Sequence, residues 1–383
     1  MRIRSVLLYV LVPALLVAAV VGLVVLGKRK AEGRARADLS LAEHFFENGE
    51  FEKARELYKA VANKGVIAEC SESALGRLGE ICEQNNDSAG AMAHWQRLLD
   101  EYPEGARVPE ATYHLGLCYE TQGDAEAART HYTRVRRDVV YASRALCGLG
   151  RLKEAGGDLE EARSSYREAL ERAAKGSEAR KAAEKLLGDI NVRLIFSSRK
   201  TEDAELYTVK QGDSVSSIGD KFNTTQALIL KANGIANPSG LRINRTLKIT
   251  PKQFRILIDL SEFSLTLLDG DRFFKKYLIG IGRPERPTTP GEYLIKTKQV
   301  NPTWYSPHGK VYPPLDPENE LGTRWMGLEP AAEGLPTDLG IHGTIDPSTV
   351  GKASSRGCPR MYPAEAEQLF DLVTLGTHVT IQE

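Results

Sequence analysis

The sequence predicts a multidomain chain: an N-terminal transmembrane helix, an all-α solenoid of helical hairpins, a small βααβ module and a mostly β sandwich. Three observations carry that reading. Residues Val6 to Gly27 form 22 consecutive positions without a charge. Between 38 and 190 a turn recurs at spacings of 37, 37 and 34 residues. From Phe254 onward the composition shifts to β-branched and aromatic residues punctuated by Gly and Pro.

The length of 383 residues already argues for several modules, since one core serves about 100 to 200 residues. Lys and Arg number 51 and Asp and Glu number 51, so there is no net field to draw in nucleic acid. The five cysteines, at 70, 82, 118, 147 and 358, include no C-x-x-C pair and no histidine at zinc spacing, which speaks against a disulfide framework or a structural metal. Cys82, Cys118 and Cys147 sit in helical patterns among Leu, Ala and Tyr, where a cysteine serves as a small hydrophobe. Only Cys358 has a loop-like context.

Residues 1–30 are expected to be a membrane anchor. At about 1.5 Å per residue the uncharged run spans the roughly 30 Å hydrocarbon layer, and it is longer than the apolar core of a cleaved signal peptide. Arg2 and Arg4 precede it, whereas Lys28, Arg29, Lys30, Arg34 and Arg36 follow it. Counted alone, these charges place the body in the cytoplasm. The C-terminal motifs taken up below set the opposite expectation, a body in the periplasm or outside.

The turns of residues 38–190 are Gly49-Glu50, Asn86-Asp87, Gly123-Asp124 and Gly157-Asp158. Four residues after each acidic position stands Ala54, Ala91, Ala128 or Ala162, and four further on Tyr58, Trp95, Tyr132 or Tyr166, one face of a helix. A small residue (Ala42, Gly79, Gly116, Gly150) precedes each turn on the first helix, allowing close approach of its partner. Such hairpins bury their apolar faces by stacking, and Ser177 to Gly188 reads as a capping helix. The pattern resembles tetratricopeptide repeats, which implies a surface for a protein partner; the alanines and aromatics themselves are read as core.

Residues 191–205 read as a linker, and 206–250 as a compact module. Leu206 to Val209 alternates like a strand, Gly212-Asp213-Ser214 starts a helix, a second helix runs from Thr225 to Ala232, and Arg245 to Ile249 returns as a strand. Tyr207-Thr208-Val209-Lys210, Gly212-Asp213-Ser214, Lys231-Ala232-Asn233 and Leu247-x-Ile249 resemble a LysM domain. That resemblance implies binding of a glycan containing N-acetylglucosamine, with Gly212, Asp213, Ser214, Asn233 and Asn237 as candidates. Gly212 and Asp213 also fit a turn and cap, and Asn233 a helix stop.

In residues 254–383, strands are expected at Arg255–Leu260, Ser264–Leu268, Phe273–Ile281, Glu292–Thr297 and Val379–Ile381. A hairpin turn is expected at Asp269-Gly270 and a helix at Ala364–Thr374. Gly280-Ile281-Gly282 is not a phosphate loop, because Pro284, Pro287 and Pro290 leave no helix to receive phosphate. Trp304 to Pro336 reads as a lid, with Trp304 and His308 packing within it. The chemistry lies in Ile341-His342-Gly343-Thr344 and, sixteen residues after His342, Cys358 within Ser354-Ser355-Arg356-Gly357-Cys358-Pro359-Arg360-Met361. A free thiol titrates at about 8.5, so a nucleophilic cysteine needs a base beside it, and His342 can serve. Gly357 permits a tight turn that aims backbone N–H groups at a developing oxyanion. Pro359 has no N–H, so the donors are sought at positions 357 and 358 or earlier. Arg360 is suited to a substrate carboxylate.

The whole string resembles the signature of YkuD-type L,D-transpeptidases, in which His-Gly-Thr precedes Ser-x-Gly-Cys-x-Arg; Thr288-Thr289-Pro290-Gly291, Asn301-Pro302-Thr303-Trp304 and Leu321 to Leu328 extend the likeness. The resemblance implies Cys358 as nucleophile, His342 as general base and the Gly343 carbonyl orienting the imidazole. Ser355, Gly357 and Arg360 fall on motif positions. Arg356 stands where the family most often has histidine, and Pro359 where it has Ile or Val; Ser355, Arg356, Gly357 and Arg360 form the candidate oxyanion and substrate-binding group. The implied activity is cysteine acyl transfer in peptidoglycan, making 3-3 cross-links with release of the terminal D-alanine of a tetrapeptide stem, a role in cell-wall biogenesis and cell shape. The alternatives are a same-fold peptidoglycan carboxypeptidase or amidase, and a non-catalytic cell-wall-binding scaffold. The chemistry requires no metal or organic cofactor.

Overall fold

A computed structural model describes residues 2–306 and 308–383, the side chains of 2–14 lying outside that description. The chain forms two compact units, Met1–Leu152 and Lys153–Glu383. The first is wholly helical: α1 (Arg2–Glu47), α2 (Phe51–Lys64), α3 (Ala68–Gln84), α4 (Ser88–Glu101), α5 (Val108–Gln122), α6 (Ala125–Val135) and α7 (Ala142–Ala155), which runs on past the end of the unit. Among the described residues no helix is long and apolar enough to cross a membrane. Part of the expected anchor, residues 6–14, has its side chains outside the description.

The repeat positions explain why the helices pair. Ala54, Ala91 and Ala128 are fully buried, as are Tyr58, Trp95 and Tyr132. A methyl group on Gly79 would collide with the Trp95 indole, and one on Gly116 would lie 2.8 Å from the Tyr132 ring, so the small residues are what let the aromatic of the next helix seat. Two of these rings also reach back twelve residues: Trp95 Nε1 donates to Glu83 at 2.9 Å and Tyr132 OH to Glu120 at 2.5 Å. Asp87 and Asp124 cap α4 and α6 by accepting from Gly90 and Ala127. Cys70, Cys82, Cys118 and Cys147 are buried free thiols.

The second unit begins with α8 (Leu159–Arg172) and α9 (Glu178–Ile195). In α8, Ala162 and Tyr166 are fully buried and the Tyr166 hydroxyl donates to Glu154 at 2.8 Å, the same twelve-residue reach. Helix α9 corrects the expected linker: it continues through residue 195, because Asn191, Leu194 and Ile195 face inward and Asn191 donates to the Phe274 carbonyl at 2.9 Å. The βααβ module follows as β1 (Glu205–Thr208), α10 (Val215–Lys221), α11 (Gln226–Ala232) and β2 (Thr246–Ile249), with β1 and β2 antiparallel.

The remainder is built on β3 (Phe254–Asp259), β4 (Ser264–Asp269), β5 (Arg272–Leu278), β6 (Ile281–Gly282), β7 (Gly291–Val300), β8 (Trp304–Tyr305), β9 (Val311–Tyr312), β10 (Arg324–Pro330), β11 (Gly340–His342), β12 (Ala353–Ser355), α12 (Pro363–Leu372) and β13 (His378–Gln382). The expected sandwich is one seven-stranded sheet, ordered β11-β10-β7-β13-β3-β4-β5, accompanied by the short pairs β12–β6 and β8–β9. The core follows the two-residue period of the strands: Ile256 and Ile258, Leu265 and Leu267, Tyr293 and Ile295, Val379 and Ile381 are all buried. The stretch read as a lid is corrected in its second half, where β10 is an interior strand between β7 and β11. Gly327 in its middle obscures the strand pattern, yet it is required, since a methyl there would strike Thr297.

Candidate active site

Strand β11 pairs with β10 so that His342 lies opposite Trp325. After β12 the chain turns through Gly357, whose φ of +124° is open to glycine and little else, and then runs parallel to β11. His342 N donates to the Pro359 carbonyl at 3.2 Å, Met361 N to the His342 carbonyl at 2.9 Å, and Arg360 exchanges two 2.8 Å backbone bonds with Gly280. Residues 358–361 are thus held between His342 and Gly280, which brings the two signature segments together. The Gly280–Gly282 stretch, which sequence reasoning set aside, is the wall of this site. Methyl groups on Gly280 and Gly282 would collide with backbone of Thr349 and Arg286 respectively.

The imidazole is buried, with Nδ1 2.6 Å from the carbonyl oxygen of Gly343. A carbonyl only accepts, so Nδ1 carries the hydrogen and Nε2 is left as the basic nitrogen. Burial and then the positive charge of Arg360 push the imidazole pKa down to about 4, against the pull of the Gly343 and Leu321 carbonyls. Cys358 is partly exposed, its Sγ 3.8 Å from the Asp338 carbonyl oxygen. Burial pushes the thiol up to about 11, with the Asp338 charge adding to it and the Gly340 N–H and Arg360 opposing. Thiol and imidazole are therefore both neutral near pH 7, and no hydrogen bond joins them among the described residues.

The turn before the sulfur is pinned by side chains. Ser355, buried, accepts from Gly357 N at 3.1 Å. Thr288, also buried, accepts from Gly282 N at 2.9 Å and donates to the Gly357 carbonyl at 2.6 Å. Gly357 N–H, one of the expected donors, is occupied by Ser355, whereas Cys358 N–H makes no hydrogen bond to another described residue. Thr288 was visible in the sequence only as part of an upstream match, with nothing to assign it this role. Arg360 pairs through Nη2 with Glu320 at 2.8 Å, while its Nε is buried without a partner among the described residues. Arg356 places its guanidinium 6.0 Å from the Trp304 ring centre, and its Nη1 is likewise buried and unpartnered. Trp304 stacks on Tyr312 across β8 and β9, centroids 4.9 Å apart.

In the βααβ module, Gly212 takes a φ of +87° at the first turn. Asp213 accepts from Lys210 N at 2.7 Å and from the Tyr207 hydroxyl at 2.9 Å, and Ser214 caps α10 in a reciprocal pair with Ser217. Asp213 and Ser214 line a groove of about 310 Å³ closed on its other side by Pro238, Ser239, Leu241 and Ile243, next to Asn237. Asn233 does not join them. Its amide donates to Ile229 and Lys248 carbonyls and accepts from Lys248 N, all within 2.8 Å, so this candidate holds β2 against α11 instead of facing a ligand.

A strand-held histidine paired along the backbone with a cysteine-bearing turn, in a chain that also carries a separate βααβ module, matches the class of catalytic domain that sequence comparison finds. Family models match residues 253–381 as L,D-transpeptidase catalytic domain, 207–250 as LysM domain, and 39–106, 83–139 and 113–178 as tetratricopeptide repeat. A Bacillus licheniformis protein named as an L,D-transpeptidase YkuD is 31% identical over 182 residues, 46% of this chain and 98% of that one. Its Bacillus subtilis counterpart is 31% identical over 181 residues, covering 46% and 97%. This chain belongs to the YkuD L,D-transpeptidase family. Among solved structures, a mutant of Enterococcus faecium L,D-transpeptidase gives 23% identity and a TM-score of 0.28, covering 34% of this chain and 50% of that one. L,D-transpeptidase 3 from Mycobacterium tuberculosis with a faropenem-derived adduct gives 16% and 0.28, covering 37% and 65%. The chain thus spans about half the length of the Enterococcus protein.

Proposed function

We propose that the chain is a peptidoglycan L,D-transpeptidase that forms 3-3 cross-links through Cys358. The observation that supports the reading is the backbone pairing of Pro359 and Met361 with His342, next in sequence to Cys358, together with a buried imidazole whose Nδ1 faces the Gly343 carbonyl. Cys358 gives its proton to His342 Nε2 as sulfur attacks the carbonyl of the third stem residue. The oxyanion meets Cys358 N–H, and the C–N bond to D-alanine breaks as His342 returns the proton to the leaving amine. The side-chain amine of a second stem then attacks the thioester, losing its proton by way of His342 and restoring the thiol. The unpartnered N–H groups of Arg356 and Arg360 are suited to the stem carboxylates, because a buried guanidinium hydrogen without an acceptor is costly until an anion supplies one.

The LysM module, through Gly212, Asp213, Ser214 and Asn237, holds the glycan, and the helical repeats present a surface to a protein partner. Residues 6–27 anchor the chain and the body lies outside the cytoplasm; a reporter fused after Glu383 that is active only in the cytoplasm would overturn this placement. For the chemistry, the full chain is incubated with disaccharide tetrapeptide and weighed intact. The expected result is a thioester on Cys358, lost in Cys358→Ser, followed by cross-linked dimers. Absence of any adduct, with the tetrapeptide and with a carbapenem, would reject the enzyme reading, and tripeptide without dimers would make the acceptor water.

A further inference from the structure

The LysM groove does not end at the edge of its module. Ser216 and Gln226, which line it, also line a larger cavity of about 880 Å³ whose far wall is Lys296 to Gln299 of β7 together with Phe370, Asp371, Thr374 and Leu375 of the catalytic domain. The two walls are fixed to each other. Lys231 of α11 pairs with Asp371 at 2.5 Å, Thr225 donates to the Asp371 carbonyl, and Leu228 is buried in the same core as the catalytic sheet. A cavity held this way persists without a ligand to shape it.

Its chemistry is that of a neutral, polar ligand. Most of the charges along it already have partners: Lys296 meets Glu329 at 3.0 Å, Lys298 donates to the Phe370 and Val373 carbonyls at 2.6 Å, and Asp371 holds Lys231; the exposed Asp220 carboxylate, with no partner among the described residues, is an acceptor for sugar hydroxyls. Beside that carboxylate stand hydroxyl and amide groups, and the side chains of Ser216, Gln226, Thr297 and Gln299 make no hydrogen bond to another described residue. The strand itself adds more. β13 pairs with β7 only over Gly291 to Leu294, so beyond Ile295 β7 is bonded to β10 on one side and has an open edge on the other. An open strand edge offers alternating N–H and C=O, and an acetamido group carries one of each.

We propose that this seam is a second saccharide site, taking N-acetylated hexosamine units of the same strand that the LysM groove holds; the proposal rests on the glycan-binding reading of that groove. One glycan would then touch the LysM module and the catalytic domain together. The test is titration calorimetry of the full chain with N-acetylglucosamine oligomers from the disaccharide to the octasaccharide. Affinity is expected to keep rising beyond the length at which short oligomers fill the groove. Gln299→Trp and Leu375→Asp, both at exposed positions, are expected to lower the affinity for long oligomers about tenfold and leave short ones unchanged. Binding of short oligomers with no further gain on lengthening, and no effect of either variant, overturns the seam while keeping the groove. Absence of binding at every length overturns both.

Discussion

At the residue scale, the Cys358 thiol stays protonated and the His342 imidazole unprotonated near neutral pH, and that has measurable consequences. With the thiol at about 11, the thiolate fraction of the free protein near pH 7 falls about a hundredfold below that of an unperturbed cysteine. Alkylation of Cys358 by iodoacetamide, followed by peptide mass mapping, is expected to be correspondingly slow at pH 7 and still rising at pH 10; a plateau by pH 8 would contradict it. The imidazole supplies the second test. His342 is protonated in the folded state only near pH 4, whereas the unfolded chain binds that proton near 6.5. Its contribution to stability is full above pH 6.5 and is lost as pH falls through 4, about 3 kcal/mol in all. Urea unfolding at pH 7 and at pH 4.5 should show this loss, and His342→Gln should remove it. The pair itself was legible in the sequence, since histidine and cysteine stand in a recognisable string. The occupation of Gly357 N–H by Ser355 and the clamp from Thr288 were not, because both are contacts between segments whose approach no local pattern records.

At the scale of elements, legibility tracks how strictly side chains repeat. The helical hairpins could be read because turn, alanine and aromatic recur at near-constant intervals, and the packing demands each of them. Strands β10 and β11 could not be read, because Gly327 and Gly340 break the β-branched pattern that marks the other strands. Gly327 is imposed by Thr297 and Gly340 by Trp325: a methyl group on Gly340 would overlap the indole, and the Trp325 ring in turn lies 5.7 Å from that of His342. The strand that carries His342 therefore looks least like a strand. Gly340→Ala is expected to force the indole toward His342, lowering stability by about 1–3 kcal/mol and slowing carbapenem acylation of Cys358 by more than its loss of folded protein explains. Thermal unfolding and acylation rates measured on the same sample separate the two effects; an acylation rate at the level of the parent would show that Trp325 does not set the position of the imidazole.

At the scale of the whole second unit, the polar run after α9 invites a picture of modules on a tether, and the packing says otherwise. Lys248, buried in β2, donates to the carbonyls of Leu194 and Ser197 at 2.7 and 2.9 Å, closing the end of α9 with a side chain of the LysM module. Sequence patterns could not disclose this, because a lysine in a short strand reads as solvent-facing. On the other side Leu228 enters the catalytic core beside residues of α12 and the sheet. A tethered LysM bead would leave the catalytic domain indifferent to its loss, whereas a docked one would not. Leu228→Ala in the full chain removes a side chain only 2% exposed, which costs about 2–5 kcal/mol. The temperature at which Cys358 ceases to be acylated by a carbapenem is expected to fall with it. If LysM unfolds in that variant while acylation survives to the same temperature as in the parent, the module is a passenger and the two halves of the unit fold independently.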